Sequence, residues 1–169
     1  MNEALAPYTA PAGVSLVDIR MDADRFPRLK NISAPSAKAR IQQVVAMAYA
    51  YTGRPAEETR IQMVSAALYS ELMEDKKHLG TDNITVEEVG HAVKSAILEA
   101  DGDVYINIAF LYKAVCAYAL GEGHEAQQTA YKRKVAARQK QLEASAAGAM
   151  LTTYAGRMIN NNPLTHTKK

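Results

Sequence analysis

The residues whose chemistry is easiest to define form a run of cations toward the C-terminal end of the sequence. The run consists of Lys132, Arg133, Lys134, Arg138 and Lys140, and no acidic residue interrupts it. On a helix, Lys134, Arg138 and Gln141 recur at i, i+4 and i+7 along one ridge. Side chains on such a ridge can reach several phosphates, which gives affinity without sequence readout. The run therefore indicates binding to nucleic acid or to an acidic protein partner, unless it is the solvated face of a surface helix.

A second group of cations lies in the N-terminal part of the sequence. Its members are Arg20, Arg25, Arg28, Lys30, Lys38 and Arg40. Asp18, Asp22 and Asp24 dilute this group. The formal net charge of the sequence is only +2, so total charge does not by itself indicate nucleic-acid binding. The argument depends instead on where the charges lie.

The sequence contains no arrangement typical of a metal site or a phosphate-binding loop. The histidines are His78, His91, His124 and His166. No two of them form an i, i+4 pair, and the single cysteine, Cys116, cannot complete a structural zinc site. The glycines at 121–123 lie between predicted helices, whereas a phosphate-binding loop follows a strand. We therefore expect no metal and no cofactor.

Residues that could act in hydrolysis have simpler structural explanations. Cys116 and His91 lie on neighbouring predicted helices and could approach each other, but Cys116 stands in the apolar segment KAVCAYA, where a thiol is unreactive. Glu87 and Glu88 are adjacent and would point about 100° apart on a helix. The sequence predicts a protein without enzymatic activity. An enzyme with an unrecognised site is the remaining alternative.

Tyrosine dominates the aromatic residues, with nine Tyr against two Phe and no Trp. Those near the predicted helices of the core are Tyr49, Tyr51, Tyr105, Tyr112 and Tyr118. Tyrosine has an apolar ring and a polar hydroxyl, so these residues could stack on exposed bases or form a protein interface. We expect most of them to pack in the core or at its boundary.

Two amphipathic helices are predicted between residues 36 and 75. Ile41, Val44, Val45 and Ala48 share one face of the first helix, and Gly53 with Pro55 ends it. Glu57 and Glu58 favour the start of the next helix. Its buried stripe is predicted to contain Ile61, Val64, Leu68 and Leu72.

A helical hairpin is predicted between residues 84 and 121. Thr85 and Glu88 form a capping-box pattern, with Ile84 and Val89 as the hydrophobic staple. The first helix should bury Val86, Val89, Val93 and Ile97. The second should run from about Ile108 to Leu120 after an Asn107 cap, with Ile108, Leu111, Val115 and Tyr118 on one face.

Composition divides the chain into an N-terminal arm (1–35), a helical core (36–121), a long basic helix with its extension (122–158) and a mobile tail (159–169). The arm contains four of the six prolines, and VSLVDIRM within it could form a short strand or an extended segment. After Gly123, strong helix formers continue without proline or glycine to Gly148. Their apolar stripe, Tyr131, Val135 and Leu142, is narrow, which places this helix at a surface or against a partner.

No apolar run approaches the roughly 18 residues that span a bilayer, and the N-terminal residues do not follow the pattern of a signal peptide. With a lone cysteine, these features predict a soluble cytoplasmic protein that does not enter membranes.

The segment ITVEEVGHAVKSAILEADGDVYINIAFLYKAVCAY resembles small helical proteins encoded by phages and mobile elements of gut bacteria, many of which are guessed to be helicase-loader-like or replication accessory proteins. The similarity covers roughly 35 residues and is carried by Ile84, Glu88, Ala92, Gly102, Tyr105 and Tyr118. The sequence departs from the pattern in lacking a glycine pair, and Tyr112 or Lys113 stands where a tryptophan is expected. The resemblance implies a replication accessory role and no catalytic residue.

Together these features predict an all-α bundle of about five helices with an extended N-terminal arm and a long basic C-terminal helix. The predicted function is a non-enzymatic accessory protein of DNA replication or nucleic-acid metabolism that binds nucleic acid or an acidic partner through the cationic run. The alternative is a structural or assembly protein, such as a phage component, held together by the arm and the C-terminal helix through self-association.

Overall fold

A computed structural model describes the backbone of residues 13–75 and 78–160, and the side chains of these residues up to 146. Across these ranges the chain forms six α-helices and no strand. The helices are α1 (Leu16–Met21), α2 (Ala34–Tyr51), α3 (Glu58–Glu74), α4 (Val86–Leu98), α5 (Ile108–Leu120) and α6 (Glu122–Asn160), with 3₁₀ turns at Leu29–Asn31 and Thr81–Asn83. The predicted all-α bundle is confirmed. The predicted tail lies largely outside the described residues.

The chain divides into two compact units between Ala130 and Tyr131, so α6 contributes to both. In the first unit, α2 packs against α3 and α4, and α5 packs against the same two helices. The predicted stripe of α2 is fully buried, as are Leu68 and Leu72 of α3. The helix-stop signal is also correct, because α2 ends at Tyr51 and Gly53 has a φ of 65°.

The α4–α5 hairpin follows the sequence pattern closely. The Thr85 hydroxyl accepts from the Glu88 amide, and the Glu88 carboxylate accepts from the Thr85 amide, so the predicted capping box is formed. Asn107 caps α5 by accepting from the amide of Phe110. Of the residues predicted to share one face of α5, Leu111, Val115 and Tyr118 are buried, and Ile108, in the first turn, is 37% exposed.

The described part of the N-terminal arm, residues 13–35, contains more regular structure than the sequence indicated. Residues Leu16–Met21 are helical and not a strand, because Ser15 and Asp18 form a second capping box. The expectation of an extended segment there is therefore wrong. Phe26 and Leu29 are buried, and the amide of Leu29 donates to the carbonyl of Ile84 at 2.8 Å, which attaches the arm to the start of α4.

Glu88 connects the arm to the hairpin. Its fully buried carboxylate pairs with the guanidinium groups of Arg20 and, at 3.2 Å, Arg28. It also accepts from the hydroxyl of Tyr118 at 2.8 Å. Burial, followed by the charge of Glu88, raises the pKa of Tyr118, and burial lowers the pKa of Arg28 despite the same carboxylate. Two cations and one buried carboxylate thus hold three parts of the chain together.

The start of α6 packs closely on this network. A Cβ atom added to Gly123 would lie 2.7 Å from Cε1 of Tyr118 and 2.9 Å from its carbonyl oxygen. Only glycine fits this position without a shift of the neighbouring backbone. The helix then continues to Asn160, close to the predicted end of the long basic helix and its extension at residue 158.

Asp75 organises the connection between α3 and α4. It adopts a left-handed conformation with φ 42°, and its carboxylate accepts from the amides of Leu79 and Gly80, each at 2.9 Å, and of Thr81 at 3.3 Å. Burial opposes ionisation, but these hydrogen bonds outweigh it and hold the pKa of Asp75 below its usual value.

Replacing Glu88 with Gln should destabilise the fold by about 3–5 kcal/mol, because two partly or fully buried guanidinium groups lose their counter-charge. Urea unfolding followed by circular dichroism measures the change. Glu87→Gln is the matched control in the same turn, since Glu87 pairs only with the partly exposed Arg40. A Glu88→Gln midpoint equal to that of the wild type would contradict the assignment of Glu88 as the central partner.

Asp75→Asn should lower stability at pH 7 and lose its effect in acid. A carboxylate with a lowered pKa stabilises the fold above its unfolded pKa, about 3.9, and this contribution disappears as pH falls through the folded value. The free energy of unfolding of the two proteins, measured with urea from pH 7 to about pH 2, should therefore converge as the pH falls below about 4. Asp82→Asn, in the same connection, is the control. A difference that is independent of pH would show that the ionised form is not the one stabilised.

Candidate nucleic-acid interface

The predicted cationic run lies on α6 and is solvent-exposed. All of its members, Lys132, Arg133, Lys134, Arg138 and Lys140, are exposed. The run covers eight residue steps, or about 12 Å of helix axis. Long side chains on a helix of this length can reach several phosphates of one strand.

Few acidic groups compete for these cations. Within the described part of the chain, no ion pair engages Lys132, Lys134, Arg138 or Lys140. The acid that follows the run, Glu143, accepts from the side chain of Gln139 at 3.4 Å. These four cations therefore present positive charge at the surface of α6.

An apolar stripe runs beside the cations on the same helix. Tyr131, Val135 and Leu142 are 69%, 45% and 64% exposed. Their spacing places them within about 40° of one another around the axis, with Lys134 and Arg138 on one flank. The narrow stripe predicted from the sequence is thus present, and the described residues leave it open to solvent.

The N-terminal cations do not form a second interface. Arg20 and Arg28 point into the Glu88 network, and Arg40 pairs with Glu87. Arg25 lies 5.0 Å from the ring of Phe26, and Lys38 lies 5.4 Å from the ring of Tyr69, whereas Lys30 is exposed. The sequence grouping of these residues is therefore not a grouping on one free surface.

Glu87 holds the one buried carboxylate oxygen in the described residues that has no hydrogen-bond partner. Its other oxygen pairs with Arg40, and the side chain is 7% exposed. The half-satisfied carboxylate lies in the first turn of α4, where the positive end of the helix dipole is favourable. This explains its position without a ligand.

No catalytic or metal-binding arrangement is visible within the described residues. They contain no group of three His, Cys, Asp or Glu side chains that could hold a metal ion. Cys116 is buried and unpaired by any disulfide. Burial, followed by a hydrogen bond with Cys116, raises the pKa of Tyr112 to about 12. His91 contacts Glu122 at 2.8 Å and the ring of Tyr118, so the possible Cys116–His91 pair is not formed.

A shallow cavity of about 220 Å³ is lined by residues of both α4 and α5. Its lining contains four alanines and the polar side chains of His91, Ser95, Glu99, Tyr118 and Glu122. His91 and Glu122 already bind each other. Ser95 brings a hydroxyl to the cavity. Within the described residues no base is hydrogen-bonded to it, because His91 binds Glu122, so the cavity holds no activated nucleophile.

Comparisons with protein-family models, with curated proteins and with solved structures found no match to this chain. The resemblance to phage and mobile-element proteins therefore stays a prediction. Two of the residues that carry it, Glu88 and Tyr118, are hydrogen-bonded to each other. None of the helices, over the residues described, is long and apolar enough to span a bilayer.

The Cys116 thiol should be protected in the native protein. Cys116 is 6% exposed, so a thiol reagent reaches it only after local or global opening. Its reaction with a chromogenic disulfide should be at least about 100-fold slower in buffer than in denaturing urea. Equal rates in the two conditions would place the thiol at the surface and reopen the question of thiol chemistry.

Proposed function

We propose that this protein is a non-enzymatic accessory factor of DNA replication or nucleic-acid metabolism that binds nucleic acid through the cationic run of α6. The observation that supports the proposal most is the exposure of five cations over nine residues, with no acid between Glu125 and Glu143. Phosphate backbones attract such a surface through counterion release. The sequence resemblance favours the same biological setting.

Association without base recognition is the expected mode. The cations are lysines and arginines on one continuous helix, and such residues contact phosphates of any sequence. Affinity should therefore depend strongly on salt and weakly on sequence. An acidic protein surface could occupy the same run, because carboxylates also pair with lysine and arginine.

An assembly role has one observation in its favour, the exposed stripe of Tyr131, Val135 and Leu142. Two copies of α6 packed along this stripe would bring flanking cations such as Lys134 and Arg138 close together, and like charges oppose that pairing. The arm offers less to a neighbouring copy, because Phe26 and Leu29 are already buried on their own chain. A heterologous, negatively charged partner fits the α6 surface better than a second copy.

The double variant Lys134→Glu, Arg138→Glu should bind labelled DNA at least about 10-fold more weakly than the wild type at moderate salt, because two phosphate contacts become repulsive. Fluorescence anisotropy with a duplex and with a single strand, repeated over a range of salt concentrations, measures affinity. The slope of log affinity against log salt concentration, measured with the duplex, should become shallower by about 1.8, because each lost phosphate contact removes about 0.9.

Lys30→Glu with Lys113→Glu is the matched control, since both lysines are exposed and the net charge changes equally. Equal losses in the two double variants would mean that overall charge, and not the α6 run, determines binding. Absence of any salt-sensitive binding by the wild type would exclude the nucleic-acid proposal. Light scattering on the same samples tests for self-association.

A further inference from the structure

A second cationic feature lies in the first unit, where arginines surround an exposed tyrosine. Tyr105, in the connection between α4 and α5, is 57% exposed. Arg60 donates to its hydroxyl at 2.7 Å and lies 5.5 Å from its ring centroid. Arg54 lies 5.9 Å from the same centroid. We call these three residues the arginine–tyrosine cluster.

The fold holds this cluster in place. Arg60 also lies 6.0 Å from the ring of Tyr49, whose hydroxyl donates to the carbonyl of Ile106 at 3.3 Å. Tyr49 and Ile106 are both buried, so the residue next to Tyr105 is anchored in the core. An exposed aromatic ring that is already oriented loses little conformational entropy when a ligand stacks on it.

The two guanidinium groups remain accessible to an anion. Arg54 and Arg60 are both exposed. Arg54 pairs with Asp103 at 3.3 Å, but the side chain of Asp103 is 97% exposed. An ion pair this exposed contributes little to folding stability. A phosphate can therefore replace Asp103 at small cost, and arginine recognises phosphate through two parallel hydrogen bonds.

We propose that the arginine–tyrosine cluster binds one unpaired nucleotide, with its base stacked on Tyr105 and its phosphate held by Arg54 and Arg60. This inference rests on the proposed nucleic-acid function and specifies the preferred ligand, which is single-stranded. Stacking on a side chain needs a base that is not already stacked in a duplex. Glu57 and Glu58, at the start of α3, limit the positive field around the cluster, so it accommodates one nucleotide and not a long backbone track.

A protein ligand is the competing occupant, because tyrosine and arginine are also common at the centres of protein interfaces. The convergence of two guanidinium groups on the ring that would carry a base favours the nucleotide. A protein ligand at this cluster predicts that loss of the Tyr105 ring leaves single-strand affinity unchanged.

The test compares Tyr105→Leu with Tyr105→Phe in the full chain. Leucine removes the aromatic face and keeps an apolar side chain, whereas phenylalanine keeps the face and loses only the hydroxyl. Anisotropy is measured with a labelled oligothymidylate of about 15 nucleotides and with a duplex of equal length, because single-strand sites cover about 4–16 nucleotides. Urea unfolding confirms that each variant is folded.

We expect Tyr105→Leu to bind the single strand about 5- to 150-fold more weakly than the wild type, since stacking contributes this much per base. Its duplex affinity should not change, and Tyr105→Phe should resemble the wild type with both probes. Arg54→Gln with Arg60→Gln should also weaken single-strand binding and reduce its salt dependence.

The possible failures are distinguishable. If the wild type binds both probes, and binding depends on Lys134 and Arg138 but not on Tyr105, the cluster proposal is wrong while the proposed function stands. If the wild type binds neither probe, both are wrong. An unchanged single-strand affinity in Tyr105→Leu would leave the cluster as a candidate protein contact and overturn the nucleotide assignment.

Discussion

The first unit depends on the neutralisation of one buried carboxylate. Glu88 is fully buried, and removing a carboxylate from water is costly unless cations and hydrogen-bond donors surround it. Arg20 and Arg28 supply the charge, while Tyr118 and the amide of Thr85 supply neutral donors. Because these partners come from the arm, α4 and α5, satisfying one residue fixes how three parts of the chain pack. The close approach of Gly123 to Tyr118 then fixes where α6 begins.

Local sequence patterns predicted the helices well because the relevant interactions span three or four residues. The capping box of Thr85 and Glu88 and the buried face of α2 needed no knowledge of the fold. The second role of Glu88 could not be predicted in this way, since its arginine partners are 60 and 68 residues distant in sequence. For the same reason Arg20 and Arg28 were grouped with surface cations. The arm helix was missed because it has only six residues, too few to show a periodic apolar pattern beside its capping pair of Ser15 and Asp18.

The cationic run of α6 and the arginine–tyrosine cluster also differ in how far apart their residues lie in the sequence. The run on α6 was visible because its five cations lie within nine residues, with no acid among them, and are accompanied by a narrow apolar stripe. Tyr105 could be noted as one of many tyrosines, but Arg54 and Arg60 stand alone in the sequence and gave no signal. Only the packing of α3 near the α4–α5 connection brings Arg60 to a tyrosine 45 residues away. A cluster of this kind becomes recognisable once the fold is available.

The long separation between Arg20 and Glu88 has a consequence for biosynthesis. A ribosome releases the arm first, and the carboxylate that neutralises Arg20 follows 68 residues later. Tyr118 and Gln127, which bind Glu88 and Arg20 respectively, emerge later still. Contacts at such separations carry a larger loop-closure cost than the local contacts of the helices, so the arm should dock after α2 to α5 have associated. During synthesis, therefore, Arg20 and Arg28 remain in solvent, although both pair with a buried carboxylate in the folded protein. The attachment of the arm is complete only after the last-translated part of the first unit has emerged.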